Sequence, residues 1–218
     1  MISGGRVQRS GMEPTPWTAD KPVRSPFALP RGRAGRLAGR LMLVRSRPQD
    51  VAGLLDVPDG AHILEVGYGP GALIGLLQQT RAARVCGVDP SPLMRDLAQR
   101  RNPGADLRIG TAGRTGFGDG EFDRVVSVNT VALWPDLRAG LKELNRVTRP
   151  GGRVLIAWHG GQRPSLLTRR LALPEDVLRR IEQETSVLFA CTTRHELAAL
   201  TAFTATRPPG PPGPSNAG

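Results

Sequence analysis

Two carboxylates and three glycines stand at spacings that could hold a ligand carrying a ribose. Glu65 is followed by Gly67, Gly69 and Gly71 at alternate positions, and Asp89 lies 18 residues beyond Gly71. Glycine allows positive φ and lets a backbone approach a ligand closely, so the three glycines read as the floor of a cofactor site. An acid at the distance of Asp89 can accept hydrogen bonds from two ribose hydroxyls. The plainer readings are a tight strand-to-helix turn at the glycines and a turn residue before Pro90 at Asp89. His159 is the one candidate base with a suitable address, at the end of an apolar run; its plainer reading is a solvated loop histidine, and His195, expected between the last two strands, is a weaker choice still. Cys86 and Cys191 each sit in an apolar run with no second cysteine or histidine cluster nearby, which reads as two core thiols and no metal site.

The elements that must position these residues follow from periodicity. Residues 62–66 and 84–89 read as buried parallel strands, with Leu73, Leu76 and Leu77 forming the stripe of the helix between them. Ser91 is a good helix N-cap before Pro92, and Leu93, Met94 and Leu97 supply the next buried face. Residues 105–109 and 122–128 read as strands three and four, separated by a glycine-rich loop over 110–120. Leu137, Leu141, Leu144 and Val147 follow helical spacing, and Arg149-Pro150-Gly151-Gly152 turns that helix into a fifth strand over 154–158. Five such units in series imply a parallel sheet covered on both faces, with ligands at the carboxyl ends of the strands.

Composition narrows the partners. The 218 residues carry 30 basic and 19 acidic side chains, a net charge of +11, with 39% hydrophobic content. Residues 1–47 hold ten of the basic and two of the acidic groups, so the remainder is close to balanced. Only Lys21 and Lys142 are lysines. Nucleic acid is therefore open as a partner but not favoured. Residues 1–32 show neither period and read as a disordered basic arm, with Met12 and Met42 as alternative starts. Two short helices broken at Pro48 open a domain over 33–207, and 208–218 read as a disordered Pro/Gly tail. No run approaches the roughly 20 apolar residues of a membrane span, and no apolar signal core opens the chain, so the expectation is a cytoplasmic monomer or homodimer.

Four stretches carry a family resemblance: Glu65-Val66-Gly67-Tyr68-Gly69-Pro70-Gly71; Gly87-Val88-Asp89-Pro90-Ser91 with Met94; Phe122-Asp123-Arg124-Val125-Val126 running on to Asn129 and Trp134; and Arg149-Pro150-Gly151-Gly152. In this order and spacing the chain resembles the class I S-adenosylmethionine-dependent methyltransferases, most nearly the small bacterial type 11 group. The resemblance implies an α/β fold, a Rossmann-like doubly wound sheet of seven strands with the last antiparallel, in an α/β/α sandwich. Residues 186–193 and 200–206, after a helix over 175–184, are the expected closing pair. It also implies S-adenosyl-L-methionine as cofactor, its methionine end held by Glu65, Gly67 and Gly69 with Gly71, its ribose by Asp89, and its adenine flanked by Pro90, Ser91 and Met94. Asn129 belongs to the same set.

The family commonly places an acid after the third strand, where this chain has Gly110-Thr111-Ala112, so backbone groups of Thr111 and Ala112 are expected to read the adenine. Tyr68 and Trp134 offer aromatic faces to the sulfonium, and Met94 has core packing as its alternative fate. Gly67-x-Gly69-x-x-Ala72 also fits a nicotinamide-dinucleotide fingerprint, but Glu65 would repel a pyrophosphate.

Absences bear on the methyl acceptor. Asn129-Thr130-Val131-Ala132 is not the Pro-Pro-aromatic loop of base-amine methylation, no lysine is placed for ribose methylation, and no cysteine for cytosine C5 chemistry. In-line displacement onto a small molecule is the favoured reading, with Trp134 and His159 beside the acceptor. The alternatives are an RNA or protein methyltransferase using the basic arm, and a binding module without turnover.

Overall fold

The computed structural model describes residues 15–19 and 48–210. The chain outside 15–19 begins with α1 (Pro48–Leu55) and then alternates: β1 (His62–Val66), α2 (Ala72–Leu77), β2 (Arg84–Asp89), α3 (Pro92–Arg101), β3 (Asp106–Ile109) and β4 (Phe122–Val128). A 3-10 turn (Val131–Leu133) leads into α4 (Leu137–Val147), β5 (Thr148–His159), the short α5 (Leu166–Arg169), α6 (Glu175–Leu188), β6 (Ala190–Glu196) and β7 (Leu200–Thr206). The seven strands form one sheet in the order β3-β2-β1-β4-β5-β7-β6. The first five strands are parallel, whereas β7 runs antiparallel to both neighbours, Ile156 facing Phe203 and His195 facing Ala202.

Strand alternation sends successive side chains to opposite faces, and each face builds its own core. Leu64, Val66, Val125 and Ile156 pack with Leu141, Leu144 and Ile181 beneath α4 and α6. Ile63, Val126 and Leu155 pack with Leu55, Ile74, Leu77 and Ala98 beneath α1, α2 and α3. The strand order reverses at β1, which has β2 on one side and β4 on the other, so its carboxyl end opens into the crevice where such sheets take ligands.

Four expectations from sequence are corrected. The helix expected over 175–184 continues to Leu188, and β6 starts at Ala190 rather than 186. Leu178, Ile181, Thr185 and Leu188 keep helical spacing, and the Thr185 and Ser186 hydroxyls donate to the carbonyls one turn back, which consumes the polar groups that suggested a strand. Cys191 is exposed, with a positive φ of 52° in the bulge between Ala190 and Thr193, whereas Cys86 is fully buried. Burial pushes the Cys86 thiol up to about 12, so it is an inert core group. His195 lies within β6, its Nε2 2.8 Å from the Thr204 hydroxyl, instead of between the last two strands. Finally, residues 15–19 are seated on the domain, although they fall inside the stretch read as an arm: Trp17 N–H donates to Trp134 O at 2.9 Å. Of the two short helices expected around Pro48, the one before it lies outside the described residues, as do residues 211–218.

Candidate functional site

The β1–α2 turn is a glycine loop held from three sides. Gly67, Gly69 and Gly71 have φ of 81°, 51° and 80°, the left-handed region that L side chains rarely adopt. Gly67 N–H donates to Val88 O at 2.7 Å, tying the turn to β2. A Cβ on Gly67 would lie 2.3 Å from Thr130 Cγ2, and one on Gly71 would lie 2.5 Å from Asn102 Nδ2, so both are also fixed by packing. Asn102, buried at the end of α3, donates from Nδ2 to Gly71 O at 3.0 Å and Ala98 O at 3.1 Å. A Cβ on Gly69 would meet nothing, which leaves this glycine facing open space.

Asp89 stands at the carboxyl end of β2 and is 7% exposed. One carboxylate oxygen accepts from Gly69 N–H at 2.9 Å and the other from Ser91 N–H at 2.8 Å. The side chain is therefore buried and braces the glycine turn. Burial pushes its carboxyl above the usual range, against the pull of those two hydrogen bonds. Each oxygen keeps a further lone pair that a ribose hydroxyl could meet.

Glu65 is 4% exposed, and its Oε2 has no hydrogen-bond partner. Burial raises its carboxyl well above the ordinary value, the Asp89 charge adds to this, and a hydrogen bond from the Ile74 backbone opposes both. Asn129 supplies a second buried orphan, its Oδ1, from the carboxyl end of β4, where its backbone takes φ 58°. An orphaned buried acceptor costs about 1–3 kcal/mol, so two beside one crevice point to a missing donor of positive charge. The methionine end of S-adenosylmethionine, an ammonium with a sulfonium, has that chemistry.

The aromatic expectations are corrected. Tyr68 is buried in the core beneath α2 and α3, its ring edge over Gly87 and its hydroxyl donating to Arg108 O at 3.2 Å. Trp134 belongs to the core on the other face, its ring against Gly140 and its Nε1 donating to the Thr130 hydroxyl at 3.1 Å. At 3% and 4% exposed, neither ring presents a face to a shared cation or acceptor. Met94, 2% exposed, likewise fills the core rather than covering a base. Ser91 caps α3, accepting from Met94 N–H at 3.3 Å, beside an exposed Pro90. Thr111 and Arg114 exchange both backbone hydrogen bonds at 3.1 Å, so the Thr111 N–H expected to read adenine is already engaged; its side chain is exposed and Ala112 is buried. Ile109, paired with Asp89 in the sheet, is 50% exposed and offers an apolar surface at the same edge.

His159 ends β5, half-buried beside Trp158, and burial pulls its imidazole below the usual value. Trp158 Nε1 donates to Leu171 O at 2.6 Å, which pins the segment after β5 near this histidine. Among the described residues no group of three or more His, Cys, Asp or Glu could hold a metal ion. Sequence reasoning missed Asn102, Thr130 and Trp17, whose partners lie far away along the chain. Gly71 with Asn102 and Gly67 with Thr130 are close approaches that a glycine spacing hints at without naming the second residue.

A family model described as a methyltransferase domain matches residues 64–156. The uncharacterized methyltransferase YdaC of Bacillus subtilis is 31% identical over 125 residues, covering 55% of this chain and 69% of that protein. The chain belongs to the class I S-adenosylmethionine-dependent methyltransferases. The methyltransferase is also similar to the demethylmenaquinone methyltransferase of Chlorobaculum parvum, 36% identical over 94 residues, and there it spans only 39% of the relative's length against 43% of its own. The Haemonchus contortus phosphoethanolamine N-methyltransferase 2, solved with S-adenosylhomocysteine, shares its fold with a TM-score of 0.65 at 16% identity, over 85% of this chain and 61% of that one. S-adenosyl-L-methionine is the cofactor of this methyltransferase. No helix among the described residues is long and apolar enough to cross a membrane.

Proposed function

We propose that this methyltransferase acts on a small molecule with an apolar body and one proton-bearing heteroatom, seated between the glycine turn and the segment after β5. The observation that carries this reading is the rim beside His159. Leu166 and Leu171 are 82% and 47% exposed on a segment that holds only the four-residue α5, too short to form a cap over a large acceptor. Two exposed leucines on the segment that follows the carboxyl end of β5 favour an apolar ligand over a phosphate backbone. The Chlorobaculum relative is named for methylation of demethylmenaquinone, which agrees with an apolar acceptor.

The cofactor supplies an electrophilic methyl on a cationic sulfur. Every other part of the task falls to residues of this chain. Glu65 Oε2 and Asn129 Oδ1 would hold the cationic methionine end, and Asp89 would accept the ribose hydroxyls. With the donor so held, the remaining demand on the chain is to seat the acceptor heteroatom against the methyl the cofactor would supply and to take the proton that heteroatom loses. Burial disfavours the charged form of His159, so its imidazole would be the group placed to take the proton the acceptor loses. Orientation of this kind can contribute roughly 7–11 kcal/mol to lowering the barrier. The test is transfer of radiolabelled methyl from the cofactor in parallel reactions with quinols and aromatic hydroxy acids, total RNA, and denatured protein. Label in the organic-extractable fraction supports the reading; label in RNA or protein alone contradicts it.

A further inference from the structure

Residues 15–19 make a compact contact that the methyl-transfer chemistry does not account for. Pro16 O accepts from Ala19 N–H at 3.0 Å, closing a small turn that presents Trp17 and Thr18 to the domain. Trp17 N–H donates to Trp134 O at 2.9 Å, Trp17 Nε1–H to Val131 O at 2.7 Å, and the Thr18 hydroxyl to Ala132 O at 2.8 Å. All three acceptors belong to the 3-10 turn and its C-cap, where carbonyls have no partner within the turn or only a long one: Trp134 N–H reaches Val131 O at 3.4 Å. From outside, the Arg180 guanidinium of α6 lies 5.0 Å from the centre of the Trp17 ring.

The inner end of the same turn forms a wall of the glycine loop. Thr130, its N-cap, places Cγ2 where a Cβ on Gly67 would be. The Thr130 hydroxyl lies 2.6 Å from that of Ser127 and accepts from Trp134 Nε1, so the start of the turn is bonded to its tryptophan. A contact at Trp17 is thus transmitted through four residues of turn to the backbone that forms the cofactor floor.

We propose that Trp17 and Thr18 are positioning residues of the cofactor site: they hold the 131–134 turn by its carbonyls, and through it keep Thr130 pressed on Gly67. The proposal rests on the reading that the glycine turn binds the cofactor. It makes the N-terminal segment a determinant of cofactor affinity although it lies outside the crevice.

The test uses the full chain with Trp17→Phe, which keeps an aromatic ring beneath Arg180 and removes the pyrrole part of the indole with its N–H, and with Thr18→Val. Amide exchange at Leu133 and Trp134 should speed up about tenfold while exchange in β4 and β5 stays unchanged. The dissociation constant for S-adenosylhomocysteine should rise about three- to tenfold, the worth of one hydrogen bond, with the thermal midpoint shifted by only a degree or two. In a Thr130→Ser background, which lacks Cγ2, Trp17→Phe should no longer change affinity; a purely structural role for Trp17 would leave its effect intact. Unchanged exchange at 133–134 overturns the holding of the turn. Faster exchange with unchanged affinity overturns its link to the cofactor. A wild-type chain that binds no S-adenosylhomocysteine overturns the cofactor reading itself, and that outcome is seen before any substitution is made.

Discussion

Replacing Glu65 with Gln should weaken cofactor binding without weakening the fold. The carboxylate is buried, one oxygen has no partner, and burial with the Asp89 charge raises its affinity for a proton. In the empty protein the ionised form is therefore disfavoured, and the isosteric amide should leave the thermal midpoint unchanged or raise it. Once the cationic methionine end arrives, the same charge becomes the partner it lacked. A charge-assisted hydrogen bond contributes about 1.5–3 kcal/mol, so Glu65→Gln should weaken S-adenosylmethionine roughly 10- to 150-fold. A folded pKa above the unfolded one means that this group stabilises the apo fold below its unfolded pKa and loses that contribution as pH rises through the folded pKa. A cation lowers that pKa again, so binding releases a proton and affinity rises with pH until Glu65 is fully ionised. Calorimetry in two buffers of different ionisation enthalpy reads the proton directly: the wild type should release one below the Glu65 pKa, and Glu65→Gln none. Equal affinity in the two proteins, or loss of the fold in Glu65→Gln, would refute the argument.

Asp89→Asn should lose stability as well as cofactor, because an amide can accept from only one of the Gly69 and Ser91 N–H groups and sets a donor against the other. A cost of about 1–3 kcal/mol in chemical denaturation is expected, with weaker cofactor binding; an unaffected midpoint would show the brace to be idle. Gly67→Ala meets Thr130 Cγ2 at 2.3 Å on top of a positive φ, so it should destabilise by about 2–4 kcal/mol, and adding Thr130→Ser should recover part of this. No recovery in the double variant would mean that backbone strain alone decides. Burial raises the Glu143 carboxyl, but Arg146 and the Thr115 hydroxyl and N–H pull it down to about 2. Its contribution is thus present above the unfolded value near 4.5 and fades as pH falls toward 2, so the stability gap to Glu143→Gln should close on acidification. A gap independent of pH would remove the ion pair from the account.

Local pattern made much of this fold readable. The alternation of strands β1 to β5 with helices was visible because each strand is a short apolar run bounded by turn residues, and α3 and α4 announce themselves by Ser91 with Pro92 and by the Leu137 to Val147 stripe. Glu65, the glycine turn and Asp89 were legible for the same reason, since each stands at a fixed distance from a strand end. What the pattern did not carry was direction and distant partners. Tyr68 and Trp134 have the chemistry to face a cation, but Gly87 and Gly140 leave ring-sized gaps that take them into opposite cores. The helix ending at Leu188 hid behind Thr185 and Ser186, whose hydroxyls bond back along the helix. Trp17 and Thr18 sit in a stretch with no periodicity, and their anchors, three carbonyls more than 100 residues away, leave no local trace.

The central claim is that the crevice at the carboxyl end of β1 is built for S-adenosylmethionine, and calorimetric titration of the full chain tests it most directly. The account predicts saturable binding of S-adenosylmethionine, stabilisation of the fold by roughly 2.7 kcal/mol at about 100 times the dissociation constant, and no binding of a nicotinamide dinucleotide. Binding of the dinucleotide with none of S-adenosylmethionine would contradict it.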